Sequence, residues 1–233
     1  MNPEIQSGPN VPWEDIVRFV RQLSHDLRND LNAAELQTAY IGELTGDDAE
    51  LKEEIRRLRE MISKLAVTLQ ELSTALSQAK PVAIPYRITD FVEDFRAKLE
   101  KDFLTEREMV KWEIQTGDAM FEVDPQLLQQ VWFEIFRNAF EHDRGTGSIL
   151  AAAKIDNDRF VFALHEPKNG FELSTEKWGH EPLGKVRHGH YGLGLHRARI
   201  ILEVHGGELR AQYDAGVSQL ITTITLPVSR AEK

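Results

Sequence analysis

Apolar residues between positions 51 and 76 recur at steps of four and three residues without a miss. A repeat that averages 3.5 residues keeps one side of an α-helix continuously apolar, as in helices that pack along their length against other helices. The segment must therefore form a long helix with at least one helical partner. The repeat positions are Leu51, Ile55, Leu58, Ile62, Leu65, Leu69, Leu72 and Leu76.

A second helical segment precedes this one, from Trp13 to about Leu44, with apolar residues at similar spacings. Gly46-Asp47-Asp48 separates the two segments and supplies a helix stop followed by an N-cap. Such a short connection predicts an antiparallel helical hairpin over residues 13–80. One hairpin cannot cover apolar stripes of this length on both sides, so we expect a homodimer in which two hairpins form a four-helix bundle.

The pattern changes to mixed α/β after a linker at residues 81–85, which begins and ends with proline. We therefore expect an α+β multidomain chain: a flexible segment at 1–12, the hairpin, the linker, and an α/β sandwich domain at 86–230. Periodicity and capping signals in this domain predict helices at 88–101, 125–142 and 193–205, and strands at 110–114, 148–155, 159–164, 208–213 and 220–226.

Composition excludes several classes of function. The 233 residues carry a net charge of −10 and no cysteine. The acidic balance argues against nonspecific nucleic-acid binding, and the missing cysteines exclude disulfides and thiolate metal sites. No apolar run approaches the roughly 18 residues needed to cross a bilayer. We expect a cytoplasmic protein with no membrane span.

His25 lies on the polar side of the first helix, about 200° around the axis from Leu23 and Leu27, which we expect to mark the buried side. Asp26 can accept the imidazole proton and leave the other ring nitrogen nucleophilic. Asn29, four residues on, shares the face of His25 and can orient a water molecule. This face either accepts a phosphoryl group or is an ordinary solvated surface with ion pairs.

Three arginines accompany His25 on this polar side of the helix. Guanidinium groups suit a dianionic phosphoryl group and an acidic partner protein. The arginines are Arg18, Arg21 and Arg28.

Glu134 and Asn138 are four residues apart on a predicted helix whose other face is apolar. Their oxygens are hard ligands that suit a Mg²⁺ ion bridging nucleotide phosphates, although this spacing also occurs on many helices without a function. Gly192-Leu193-Gly194 opens a later helix, where backbone N–H groups can approach phosphates or simply cap the helix. The long loop before it, residues 171–190, is basic in its second half, and we expect it to be a mobile lid.

In order and spacing, these segments resemble the sensor histidine kinase family from about residue 13 to residue 228. Leu23–Asn32 looks like the H-box of the phosphotransfer hairpin, Gln130–His142 like the N-box, and Gly192–Leu195 like the G2-box of a GHKL-type (Bergerat-type) ATP-binding domain. The resemblance implies that His25 is phosphorylated from ATP and that Asn138, with Glu134, helps hold Mg²⁺. It also implies transfer of the phosphoryl group to an aspartate of a response-regulator receiver domain, with input from a separate sensory protein.

The resemblance is weakest at the G1-box, which is Asp-x-Gly-x-Gly in the family. The best match is Glu166-Pro167-Lys168-Asn169-Gly170. Glu166 replaces the aspartate that hydrogen-bonds the adenine amino group, and Lys168 fills a glycine position, where it either contacts phosphate or blocks the pocket. By the resemblance, the nucleotide-binding residues are Glu134, Asn138, His142, Glu166, Gly170, Gly192, Leu193 and Gly194.

Three functions remain open at this point. The first is an ATP-dependent histidine kinase. The second is a histidine phosphotransferase or pseudokinase that relays phosphoryl groups without using ATP. The third is an ATPase in which Glu134 activates water and the hairpin only dimerises.

Overall fold

The computed structural model describes residues 12–44, 46, 48–142, 144–171, 174–176, 178–180 and 192–229. The chain forms two compact units, Met1–Ser77 and Gln78–Lys233. The first is helical and the second combines helices with β-sheet, so the predicted α+β class is confirmed. Within the described ranges, no helix is both long enough and apolar enough to span a membrane.

The first unit is a hairpin of helix α1, Trp13–Leu44, and helix α2, Ala49–Ala75. Asp48 is the N-cap of α2, and its carboxylate accepts hydrogen bonds from the backbone N–H groups of Glu50 and Leu51 at 3.1 Å each. These bonds satisfy two of the N–H groups that a helix leaves unpaired at its start. The helix boundaries agree with those predicted from the sequence.

The apolar repeat of α2 faces two directions. Ile62 is buried and Ile55 and Leu69 are half-buried, so this half of the repeat faces α1. The other half, at Leu51, Leu58 and Leu65, is 44%, 46% and 55% exposed within one chain. The hairpin therefore leaves a line of leucines uncovered.

On α1, the contact with α2 corrects one prediction. Ser24 and Thr38 are the buried residues of this helix, whereas Leu23 and Leu27, which we expected on the buried side, are exposed. Leu23 precedes Ser24 by one residue, which is about 100° around the helix. Leu23 and Leu27 therefore lie to one side of the line of contact with α2, and the described residues leave them exposed.

In the described part of the second unit there are three helices, a short 3₁₀ helix and seven strands. Strands β1 and β3 form an antiparallel pair, and the other five form a sheet in the order β2-β4-β5-β7-β6, in which only β2 and β4 are parallel. The elements are β1 Ile84–Arg87, α3 Ile88–Asp102, the 3₁₀ helix Arg107–Met109, β2 Val110–Gln115, β3 Met120–Val123, α4 Pro125–Glu141, β4 Ile149–Asp156, β5 Arg159–Pro167, α5 Gly194–Val204, β6 Glu208–Asp214 and β7 Gln219–Pro227.

The core of this unit lies between the three helices and one face of the five-stranded sheet. Trp132 of α4 is fully buried and stacks on Phe162 of β5, with ring centroids 4.2 Å apart. Phe95 of α3 packs edge-on against the same indole at 5.0 Å. Burial alternates along β5, so one face of the strand meets the helices and Glu166, near its end, lies on that face. The core thus fixes where α4 stands relative to β5.

The sequence did not indicate β1 or β3. Each has four residues, too few to show an alternating pattern, and β1 contains Pro85, which is tolerated where a strand has a free edge. Ile84 and Pro85 belong to the segment that we had interpreted as a linker.

Candidate functional site

The imidazole of His25 stands clear of the hairpin, with 66% of its side chain exposed. Its Nδ1 lies 3.2 Å from Oδ1 of Asp26 and 3.5 Å from Nδ2 of Asn29. The carboxylate of Asp26 can only accept, so this contact, the shorter of the two, suits the tautomer with the proton on Nδ1; Nδ2 of Asn29 can only donate and suits the other tautomer. In the tautomer that Asp26 suits, the lone pair of the ring is on Nε2. The three predicted residues therefore lie together at an exposed imidazole.

The arginines on this side of α1 do not all remain available to His25. Arg18 pairs with Asp15 at 3.3 Å on the surface. Arg21 is half-buried and donates a hydrogen bond to the carbonyl of Leu76, just beyond the end of α2. Cationic side chains commonly satisfy carbonyls at helix C-termini. Arg21 is therefore held at the end of α2 and is not free beside His25.

Glu134 and Asn138 form a hydrogen-bonded pair on α4. Nδ2 of Asn138 donates to Oε1 of Glu134 at 3.0 Å, and the guanidinium of Arg137 pairs with the other carboxylate oxygen. The first bond fixes the amide of Asn138 with its nitrogen toward the carboxylate. Its oxygen, a suitable cation ligand, is consequently directed away from Glu134.

The glycine loop meets this pair at the start of α5. Leu193 is the N-cap and Gly194 the first helical residue. A Cβ atom on Gly194 would lie only 1.8 Å from Oε1 of Glu134, so a glycine is required for the carboxylate to pack there. Gly192 has a φ of +64°, which also favours glycine. The negative carboxylate thus lies at the positive end of α5, and these predicted residues, with Asn138, are brought together.

The G1-box match has a different environment. Glu166 and Lys168 are 4% and 5% exposed, and Nζ of Lys168 lies 2.9 Å from Oε2 of Glu166. Nζ also donates to the backbone carbonyl of His142 at 2.5 Å. Burial raises the pKa of the Glu166 carboxyl, and the charge of Lys168 acts in the opposite direction. Lys168 therefore points into the interior rather than toward a phosphate.

Backbone contacts hold the segment around Lys168. Its N–H donates to the carbonyl of Ser218 at 2.9 Å, and the N–H of Gly145 donates to the carbonyl of Pro167 at 2.8 Å. A Cβ on Gly145 would lie 2.9 Å from the Lys168 nitrogen, so this glycine, which the sequence did not single out, allows the close approach. Gly170 has nothing within 4 Å of such a Cβ, so its packing requires no glycine.

Part of the predicted lid is anchored. Phe171 packs against Trp178 and against Tyr213 of β6, with ring centroids 5.8 Å and 5.4 Å apart. The carbonyl of Gly179 lies 3.2 Å from Nδ1 of His196 on α5. These contacts join Phe171, Trp178 and Gly179 to β6 and α5, and the mobility of the loop stays a prediction. Residues 181–191, which carry most of the basic side chains of the loop, lie outside the described residues.

Comparison with known proteins gives no match to a family model. In sequence, the chain is 24% identical over 207 residues to the alginate biosynthesis sensor protein KinB of Pseudomonas aeruginosa, covering 85% of this chain. It is 26% identical over 219 residues to the adaptive-response sensory kinase SasA of Prochlorococcus marinus strain MIT 9301, covering 91%. The chain is thus similar to sensor kinases over most of its length. The chain spans 35% of KinB and 58% of SasA.

Solved structures show the same histidine kinase fold. Full-length ShkA in complex with AMPPNP matches 93% of the chain, and 47% of its own, with a TM-score of 0.71 at 18% identity. The histidine kinase ThkA in complex with the response regulator protein TrrA matches 90% of the chain, and 61% of its own, with a TM-score of 0.55 at 17% identity. The likeness extends over both the helical hairpin and the α/β unit.

Proposed function

We propose that the chain is the kinase core of a two-component system, which transfers the γ-phosphoryl group of ATP to His25 and then to an aspartate of a response-regulator receiver domain. The observation that carries the proposal is the geometry of His25. An exposed ring whose Nδ1 faces Asp26 at 3.2 Å presents Nε2 to an incoming phosphorus atom. A histidine on an idle surface needs no such orientation.

In the proposed step, the lone pair of Nε2 forms a bond to the γ-phosphorus of ATP. The bond from that phosphorus to the bridging oxygen breaks, and ADP leaves with the electron pair. The ring becomes positively charged, and the carboxylate of Asp26 stabilises this charge and accepts the Nδ1 proton. Asn29, four residues from His25, would orient the water molecule that dephosphorylates the partner.

The nucleotide would bind where α4 meets α5. The N–H groups at the start of α5 and the oxygens of Asn138 and Glu134 suit phosphates and Mg²⁺ respectively. Among the described residues, no three acidic or histidine side chains cluster as a metal site. When bound, Mg²⁺ would neutralise charge on the phosphates. ShkA, which has a similar fold, was solved with the nucleotide analogue AMPPNP, and this supports nucleotide binding by the chain.

The proposed partners rest on two further observations. ThkA was solved with the response regulator protein TrrA, which supports a receiver domain as phosphoryl acceptor. The exposed leucines of α2, together with Leu23 and Leu27 of α1, support a homodimer, because a second hairpin would cover both lines in a four-helix bundle.

The test is incubation of the purified chain with γ-labelled ATP and Mg²⁺. We expect acid-labile label on the wild type and none on His25→Gln. His165→Gln is the matched control. His165 lies on β5, on the face opposite to the one that carries Glu166 and meets the helices. Label that survives His25→Gln would refute the proposal.

A relay without ATP use is the second candidate, and the buried contact of Lys168 with Glu166 favours it, because the pair fills space beside the end of α4. This function predicts no label from ATP and no nucleotide binding by calorimetry, but transfer to His25 from a phosphorylated receiver domain.

A further inference from the structure

The proposed transfer to His25 makes no use of the ion pair between Glu166 and Lys168. We propose that this pair removes adenine selection from the nucleotide site, so that the chain binds ATP and GTP alike through their phosphates. The inference rests on the proposed function and on the resemblance, by which Glu166 takes the place of the aspartate that hydrogen-bonds adenine. Its substrate class is therefore purine nucleoside triphosphates in general.

The carboxylate of Glu166 is buried against an ammonium. Nζ of Lys168 lies 2.9 Å from Oε2, and the two side chains are 6% and 3% exposed. A carboxylate has about four acceptor positions, so the ion pair does not fill it, and Oε2 accepts no hydrogen bond among the described residues. Burial is what keeps a base away: to reach Glu166, adenine would have to displace a buried ammonium and separate the ion pair, which is strongly unfavourable.

Lys168 is held through both its side chain and its backbone. Its Nζ donates to the carbonyl of His142 at the end of α4, and its own N–H donates to Ser218. Nδ2 of Asn169 donates to the carbonyl of Arg144 at 3.2 Å. A side chain on a segment tied to its neighbours in this way does not swing out of the site when a ligand arrives.

The remaining binding groups do not distinguish purines. The start of α5 and the pair of Glu134 and Asn138 suit phosphates and a cation, which ATP and GTP share. An ammonium also tolerates the 6-oxo group of guanine at least as well as the 6-amino group of adenine, because it can only donate. A hydrogen bond to a charged group changes affinity by roughly 10- to 150-fold, and its absence should bring the two affinities to within about threefold.

The experiment is calorimetric titration of the wild type with the β,γ-imido analogues of ATP and GTP in the presence of Mg²⁺, followed by labelling of His25 from both γ-labelled nucleotides. We expect dissociation constants within about threefold and label from both. A preference for the ATP analogue above about tenfold, with label from ATP alone, overturns the inference and leaves the kinase function standing. Binding of neither analogue overturns both.

A variant pair then assigns the effect to Lys168. The double variant Glu166→Asp/Lys168→Gly frees an acid next to a glycine, and we expect a preference for the ATP analogue of at least about tenfold. Lys154→Gly, the same change at an exposed lysine of neighbouring β4, should leave the ratio unchanged. An unchanged ratio in a folded double variant overturns the assignment. If that variant does not fold, the wild-type ratio still decides the inference.

Discussion

Gly194→Ala tests the contact between α4 and α5 on which the nucleotide site depends. The new Cβ would lie 1.8 Å from Oε1 and 2.2 Å from Cδ of Glu134, so the carboxylate must move and the 3.0 Å bond from Asn138 is lost. Loss of a hydrogen bond to a charged group costs about 1.5–3 kcal/mol, and alanine in place of helical glycine returns about 0.5–1 kcal/mol. We expect a net loss of about 0.5–2.5 kcal/mol in the free energy of unfolding.

A double-mutant cycle separates this clash from a general effect on the helix. In a Glu134→Ala background the alanine at position 194 meets no carboxylate, so the double variant should be about 1.5–3 kcal/mol more stable than the sum of the single changes predicts. Urea unfolding followed by the fluorescence of Trp132, which is buried in the same unit, measures all four proteins. Gly170→Ala is the control and should change stability by less than about 0.5 kcal/mol, since its surroundings are open. Additivity within about 0.5 kcal/mol would refute the reasoning.

Three further predictions concern stability and assembly. His205 is buried, its Nδ1 lies 2.6 Å from the Ile201 carbonyl, and its Nε2 accepts from the N–H of Asp124 at 2.9 Å. His205→Phe should lower the free energy of unfolding in urea by about 2–3 kcal/mol, and a loss below about 0.5 kcal/mol would contradict this. Lys168→Met removes the charge that lowers the pKa of Glu166, so the folded variant holds a proton on Glu166 that the unfolded chain releases. Relative to wild type, the free energy of unfolding of the variant should therefore fall more at about pH 8 than at about pH 5. A difference from wild type that does not depend on pH would speak against the buried pair. Leu58→Glu should give monomers by sedimentation whereas Lys64→Glu should not, and a dimeric Leu58→Glu would count against the leucine interface.

Much of the fold follows from local chemistry that a sequence displays. The helices α2 and α4 begin one residue after Asp48 and Asp124, because each aspartate accepts two backbone N–H groups that the helix start leaves unpaired. Glu134 and Asn138 meet because residues four apart share a helix face. These relations involve neighbours in sequence, and they could be predicted.

The contacts that could not be predicted join distant segments. Lys168 reaches a carbonyl 26 residues away, and its close approach to Gly145 depends on how β5 and the end of α4 are placed by the core. Arg21 lies on the same side of α1 as His25, yet its long side chain turns to α2 instead. Periodicity assigns a residue to a face, but it does not say which backbone group a flexible cation will find.

The hydrogen bond from Arg21 to Leu76 spans 55 positions of the chain and closes the end of the hairpin opposite its turn. The turn joins the two helices covalently at one end of the hairpin, and the guanidinium of Arg21 links them by a hydrogen bond at the other end. The final turn of α2 should accordingly fray less than an ordinary helix end, and its amide protons should exchange more slowly once the arginine is in place. Replacing Arg21 would remove this link between the helices at a position four residues before His25.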